Sequence, residues 1–175
     1  SGASMTFRVA RELSRTFAAV APVAGADWML KPKPARPVPL LYITGTADPM
    51  NPVDGGPVRI GRKSYGRKPP TRQLIARWVE LHDCSEPPRV VYDKDDGRGV
   101  AYCNEDGSEA VVLYTLAGHG HHWPGGKSLL PAAMAGPNQA TLNATDVIWT
   151  FFAQHALPQV ALQRDGSTDA DGPRP

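Results

Sequence analysis

Apolar residues fall in short blocks along this chain, and the spacing inside each block separates helices from strands. Over residues 3–14, Met5, Val9 and Leu13 recur at four-residue intervals among Arg8, Arg11, Glu12 and Arg15. This spacing predicts an amphipathic helix with its arginines turned outward. Phe17–Ala24 is a continuous apolar run stopped by Gly25, the pattern of a buried parallel strand. Lys31–Pro39 is too rich in proline to be helical, and a second strand follows over residues 38–44. From Asp48 to about Pro70 the pattern is irregular and reads as a long loop. Residues 71–83 predict a helix with Leu74, Trp78 and Leu81 on one face and Thr71 as its N-cap. Short strands at 89–92 and 99–103 flank the polar turn Asp93–Gly97 as a hairpin, and Ala110–Leu116 is the third strong strand. Asn143 caps a last helix whose core stripe is Val147, Ile148, Phe151 and Phe152.

These elements alternate in the α/β manner, with a parallel sheet flanked by helices. Three core strands are few for a doubly wound sheet, and half of such a sheet explains the shortfall. The folded unit is expected over residues 1–157, with a polar, disordered tail over 158–175. The 175 residues, 41% hydrophobic, suffice for one domain with a real core. A net charge of +2 favours no polyanionic partner. The local cluster Arg59, Arg62, Lys63, Arg67 and Lys68 lacks interleaved aromatics or a recognition helix and reads as a solvated loop, so no nucleic acid is expected. No run approaches the roughly 18–20 apolar residues that span a bilayer. Cys84 and Cys103 belong to no CxxC pair, which leaves a disulfide or two buried thiols. A bridge closing that loop would stabilise by about 3 kcal/mol and imply an oxidising compartment.

The chemistry concentrates where two strands end. Leu40–Thr44 runs into Gly45-Thr46-Ala47-Asp48, and Leu113–Leu116 runs into Gly118-His119-Gly120-His121-His122-Trp123-Pro124-Gly125. In open α/β sheets reactive groups collect at the carboxyl ends of strands. An aspartate accepting a proton-bearing imidazole nitrogen fixes the tautomer and stabilises the imidazolium. The order Asp before His is that of α/β-hydrolases, whose nucleophile precedes both. His119, His121 and His122 could together suggest zinc, but no carboxylate in the loop completes such a site. His119 and His122 read as loop-surface residues, and His82 and His155 as structural residues favoured by helix C-termini. Asp54 reads as a turn former, and Trp123 either lines a cleft or packs beneath its loop.

Gly45-Thr46-Ala47-Asp48-Pro49 with Pro52 and Asp54-Gly55-Gly56, and then Gly120–Gly125, resemble the acid and base segments of the polyhydroxybutyrate depolymerase/feruloyl esterase family. Asp146-Val147-Ile148-Trp149 with Phe151-Phe152 is similar to that family's final helix, and Cys84 and Cys103 match its cysteine positions. The resemblance implies a secreted serine esterase with the α/β-hydrolase fold, its disulfide joining Cys84 to Cys103. It assigns Asp48 and His121 as acid and base, and it requires no cofactor or metal. The family's elbow, Gly-x-Ser-Asn-Gly-Gly-Met, aligns if Ser1 occupies the Asn position. The nucleophilic serine then immediately precedes Ser1, and the Ser1 N–H is an oxyanion donor. Ala3 replaces the second glycine and Ser4 the methionine.

Two other registers make Ser1 or Ser4 the nucleophile; the first loses the elbow glycine and the second places the hydroxyl inside a helix. In the favoured register the chain alone is inactive and its partner is an ester. Polyester, feruloylated or acetylated plant cell-wall polymer and small esters all remain open as substrate. The competing function is a non-catalytic binding or accessory domain that keeps an esterase-like half-fold.

Overall fold

Residues 2–29 and 31–157 are described in the computed structural model of this chain. Ser1 and the expected tail, 158–175, lie outside them. The elements are α1 (Gly2–Glu12), β1 (Leu40–Gly45), β2 (Gly56–Ile60), β3 (Lys63–Lys68) and α2 (Thr71–Leu81), then β4 (Arg89–Lys94), β5 (Gly97–Cys103), β6 (Glu109–Leu116), α3 (Ala132–Ala135) and α4 (Ala144–Phe152). The fold is mixed α/β. Its main sheet has the order β1-β6-β5-β4, with β1 and β6 parallel and the other neighbours antiparallel.

β1 is buried at every position, as a run apolar on both faces requires. Leu40 and Tyr42 point to one side, where Phe7 of α1 and Leu74, Ile75 and Trp78 of α2 cover them. Leu41 and Ile43 point to the other side, against Ile148 and Phe151 of α4. The helices thus sandwich the sheet, and Asn143 caps α4 by accepting the N–H groups of Thr145 and Asp146. Among the described residues no helix is long and apolar enough to cross a membrane.

Several expectations change. The Phe17–Ala24 run lies parallel to β1 but touches it only at Val20↔Leu40 and Val23↔Ile43. Pro22 sits between these bridges and has no N–H to continue a ladder. The expected long loop contains the β2–β3 hairpin, which an apolar/polar reading misses because β2 opens with Gly-Pro and β3 is mostly polar and exposed. Pro70, not Thr71, occupies the N-cap of α2; Thr71 begins the helix, and its hydroxyl accepts from Lys68 Nζ at 3.3 Å.

α1 is turned relative to its expected face. Met5 and Leu13 are 56% and 48% exposed, whereas Phe7, Ala10 and Arg11 are buried. Phe7 packs between Tyr42 and Trp78, with ring centroids 5.6 and 6.0 Å away. Arg11 faces inward because Asp27 meets it there, Nη2 to Oδ2 at 2.6 Å, and Trp78 Nε1–H donates to the same oxygen at 3.2 Å. A buried charge is tolerable when it is paired and hydrogen-bonded in this way.

The expected disulfide is absent: Cys84 and Cys103 are free thiols. The Cys84 thiol turns back toward the His82 carbonyl, and β5 slips register at Tyr102/Cys103, just where the second sulfur would have to be presented. Burial pushes the Cys84 thiol pKa up. An oxidising compartment therefore draws no support from these two residues.

Removing one partner of the buried pair leaves an uncompensated charge. Asp27→Ala is expected to lower the unfolding free energy by about 3–5 kcal/mol, read from the shift of the urea midpoint.

Candidate active site

The parallel register Leu40↔Val111 to Gly45↔Leu116 brings the carboxyl ends of β1 and β6 side by side. The chain leaves both strands in the same direction, and the two exits are stitched together. Thr46 N–H donates to Leu116 O at 2.9 Å, Ala47 N–H to His119 O at 3.0 Å, and Gly118 N–H to Thr46 Oγ1 at 2.8 Å. Gly45 makes this approach possible, since a Cβ there would fall 2.1 Å from the His119 carbonyl oxygen.

Asp48 and His121 meet across these exits. The Asp48 side chain is fully buried, and its Oδ1 accepts the N–H groups of Met50 and Asn51 at 2.8 and 2.9 Å. Its other oxygen, Oδ2, lies 2.8 Å from His121 Nδ1. A carboxylate only accepts hydrogen bonds, so Nδ1 carries the proton and Nε2 of the neutral ring carries the lone pair. The His121 side chain is 29% exposed and faces a cavity of about 660 Å³. Gly2, Ala3 and Thr6 from the start of α1 line the same cavity, as do Trp123, Leu129 and Leu130.

A second tier holds Asp48 in place. Asn51 Nδ2 donates to Tyr42 Oη at 2.8 Å and to Thr44 Oγ1 at 3.1 Å, and Tyr42 Oη donates to Gly25 O at 2.6 Å. Gly25 in turn admits the first turn of α1, for a Cβ at this position would fall 2.3 Å from the Ala3 Cβ. The side-chain bulk that Ala3 adds is thus accommodated by a glycine on the facing segment.

His119 and His122 are not surface residues; they are 1% and 8% exposed. His119 Nδ1 accepts the Ala140 N–H at 3.2 Å while Nε2–H donates to His122 O at 3.3 Å. His122 Nε2–H donates to Gly136 O at 2.9 Å. Both rings fasten the glycine-rich loop to the segment that follows it, and burial lowers the pKa of His119. His82 ends α2 with its Nε2 3.0 Å from Val38 O, and burial lowers its pKa too. Trp123 lines the cavity and is 46% exposed rather than packed beneath its loop, and its Nε1–H donates to Thr145 Oγ1 at 3.1 Å. Ser4 lies within α1, and Ser1, the expected oxyanion donor, is outside the described residues. Among the described residues no three His, Cys, Asp or Glu side chains converge on a metal-sized site.

No protein-family model matches the chain. It is 30% identical over 165 residues to a protein of Nocardia uniformis subsp. tsuyamanensis named "Putative esterase NocK", an alignment covering 86% of this chain and 48% of that protein. The chain spans about half the length of this relative.

Asn51 and Tyr42 were missed as site residues. A tyrosine inside an otherwise apolar strand is the available signal, because its buried hydroxyl demands a partner.

Two outcomes follow from this geometry. Gly45→Ala forces a Cβ into the His119 carbonyl and is expected to cost about 1–3 kcal/mol, measured by thermal unfolding. His82, His119 and His155 all have pKa values lowered by burial. A histidine whose folded pKa lies below its unfolded value stabilises fully above the unfolded value, about 6.5, and loses that contribution as pH falls through it. The melting temperature is expected to hold above about pH 7 and to decline below about pH 6.5, less steeply in His119→Gln.

Proposed function

We propose that this chain bears the acid and the base of a serine carboxylic-ester hydrolase and forms the C-terminal half of an α/β-hydrolase fold, within residues 1–157. The observation that carries the reading is the 2.8 Å approach of His121 Nδ1 to Asp48 Oδ2, at the paired ends of two parallel strands. The open Nε2 edge toward a largely apolar cavity and the identity to a protein named as an esterase support it.

In the proposed reaction a serine at the entry to α1, immediately before Ser1, attacks the ester carbonyl carbon. His121 Nε2 takes the serine proton, and the Ser1 N–H steadies the oxyanion. The tetrahedral intermediate collapses, the C–O bond to the alcohol breaks, and His121 returns the proton to the leaving oxygen. Water then repeats the sequence on the acyl-enzyme, with His121 again as base. Asp48 keeps the ring in the Nδ1–H tautomer and stabilises its cation. Trp123, Leu129 and Leu130 form the apolar wall for the substrate, and no cofactor takes part. The resemblance to polyhydroxybutyrate depolymerases and feruloyl esterases points to a polyester or plant cell-wall ester handled outside the cell. The 175-residue chain alone is inactive on this reading.

The test is ester hydrolysis by the protein extended upstream to include a Gly-x-Ser elbow. Asp48→Asn and His121→Ala are each expected to lower kcat on a short-chain nitrophenyl ester by about 10³–10⁴ or more. A fluorophosphonate probe is expected to label the serine preceding Ser1. Full activity in His121→Ala, or another residue in the serine position, would refute the assignment.

A further inference from the structure

The β2–β3 hairpin is held at its base and free at its tip. Its strands pair only with each other. Near the base, Arg59 N–H donates to Pro49 O at 3.0 Å and Thr71 N–H to Val53 O at 2.8 Å. Every residue from Arg59 to Arg67 is exposed, and a Cβ at Gly61 or Gly66 would meet nothing within 4 Å. Gly61-Arg62 closes the ribbon between the opposed residues Ile60 and Lys63. Gly61 supplies the positive φ, +59°, that the first central residue of a two-residue hairpin turn needs.

The charge of this region has one sign. From Gly55 to Val79 the chain carries seven lysines and arginines and no acidic residue, although the whole chain has 19 basic residues against 17 acidic. Among the described residues no carboxylate forms an ion pair with Arg59, Arg62, Lys63 or Arg67. The strand register fixes where these cations point, because opposed residues share a face and alternate residues along a strand do too. Ile60, Lys63 and Tyr65 therefore lie on one face. Arg59 opposes Ser64 on the other, and the register shift between Pro57 and Arg59 brings Arg67 to that same face, opposite Pro57. Arg62 occupies the turn. Ile60 and Tyr65, 39% and 58% exposed, sit among the cations near the tip. Tyr65 thus interleaves cations that were expected to form only a solvated loop.

We propose that this hairpin is a docking surface for an anionic lipid membrane and enters the headgroup layer tip first. A ribbon lying flat on a polyanion such as a nucleic acid would turn its cations to one face. A tip surrounded by headgroups meets anions on both faces and at the turn, which is how these cations are distributed. Ile60 and Tyr65 suit the same place: tyrosine favours the boundary between headgroups and acyl chains, and an apolar side chain leaves water there. Each Lys or Arg close to an anionic lipid surface strengthens partitioning by about fivefold. The proposal does not depend on the esterase reading.

The test is cosedimentation of the full 175-residue chain with vesicles of equimolar phosphatidylserine and phosphatidylcholine, against phosphatidylcholine alone. Partitioning is expected to be about tenfold or more stronger on the anionic vesicles and to weaken as salt is raised. Replacing Arg59, Arg62, Lys63 and Arg67 together by Gln is expected to weaken it about a hundredfold or more. The same charge removed elsewhere, at Arg15, Lys31, Lys33 and Lys94, is expected to cost less than about tenfold. Ile60→Ser with Tyr65→Ser is expected to abolish the binding that survives high salt. Equal binding to both kinds of vesicle, an equal loss in the two fourfold variants, or no loss in the Ile60→Ser, Tyr65→Ser protein overturns the proposal. So does a chain that ignores both vesicles and binds single-stranded DNA or polygalacturonate instead. Thermal unfolding checks that the variants are folded; if they are not, the wild-type comparison of the two vesicles and its salt dependence decide alone.

Discussion

The parallel pairing of β1 with β6 is the constraint on which the rest of this molecule depends. It alone makes two distant segments leave the sheet side by side, and it fixes their register so that Gly45 faces Leu116. Every polar contact of the site is downstream of that register. The backbone bonds from Thr46 and Ala47, the closeness allowed by Gly45 and the Asp48–His121 contact all need these two ends level. A slip by one residue would shift one exit along the other and take Asp48 and His121 out of level.

Two aspartates are buried among the described residues, and they are treated differently. Asp27 is neutralised outright by Arg11 and further held by Trp78, which locks α1 and α2 together and leaves no proton to move. Asp48 receives no arginine. Two backbone amides hold one oxygen, and the imidazole holds the other. The first arrangement is a structural clamp. The second leaves the charge partly uncompensated and directs it at a ring that can respond, which is the condition for useful proton chemistry.

Much of this was legible in the residues. The continuous apolar runs of β1 and β6, the Asn143 cap and the Asp-then-His order at strand ends each carry their own physical signature. What escaped reading depends on tertiary context. Arg11 was placed outward because a lone arginine on a helix is normally solvated, and only Asp27, sixteen residues away, draws it inward. His119 and His122 were placed on the surface because glycine-rich loops usually lie there; their burial follows from the packing of residues 135–140 over them. The β2–β3 hairpin carries almost no apolar alternation, so period-two reasoning had nothing to detect.

The Asp48–His121 bond joins residues 73 positions apart in the chain. Contacts of such sequence separation carry a large loop-closure cost and slow the search for the native state. Locally, the Met50 and Asn51 amides hold one oxygen of Asp48, and its contact with His121 waits for the loop from the other strand. Assembly of the pair therefore reports that β1 and β6 are paired in register.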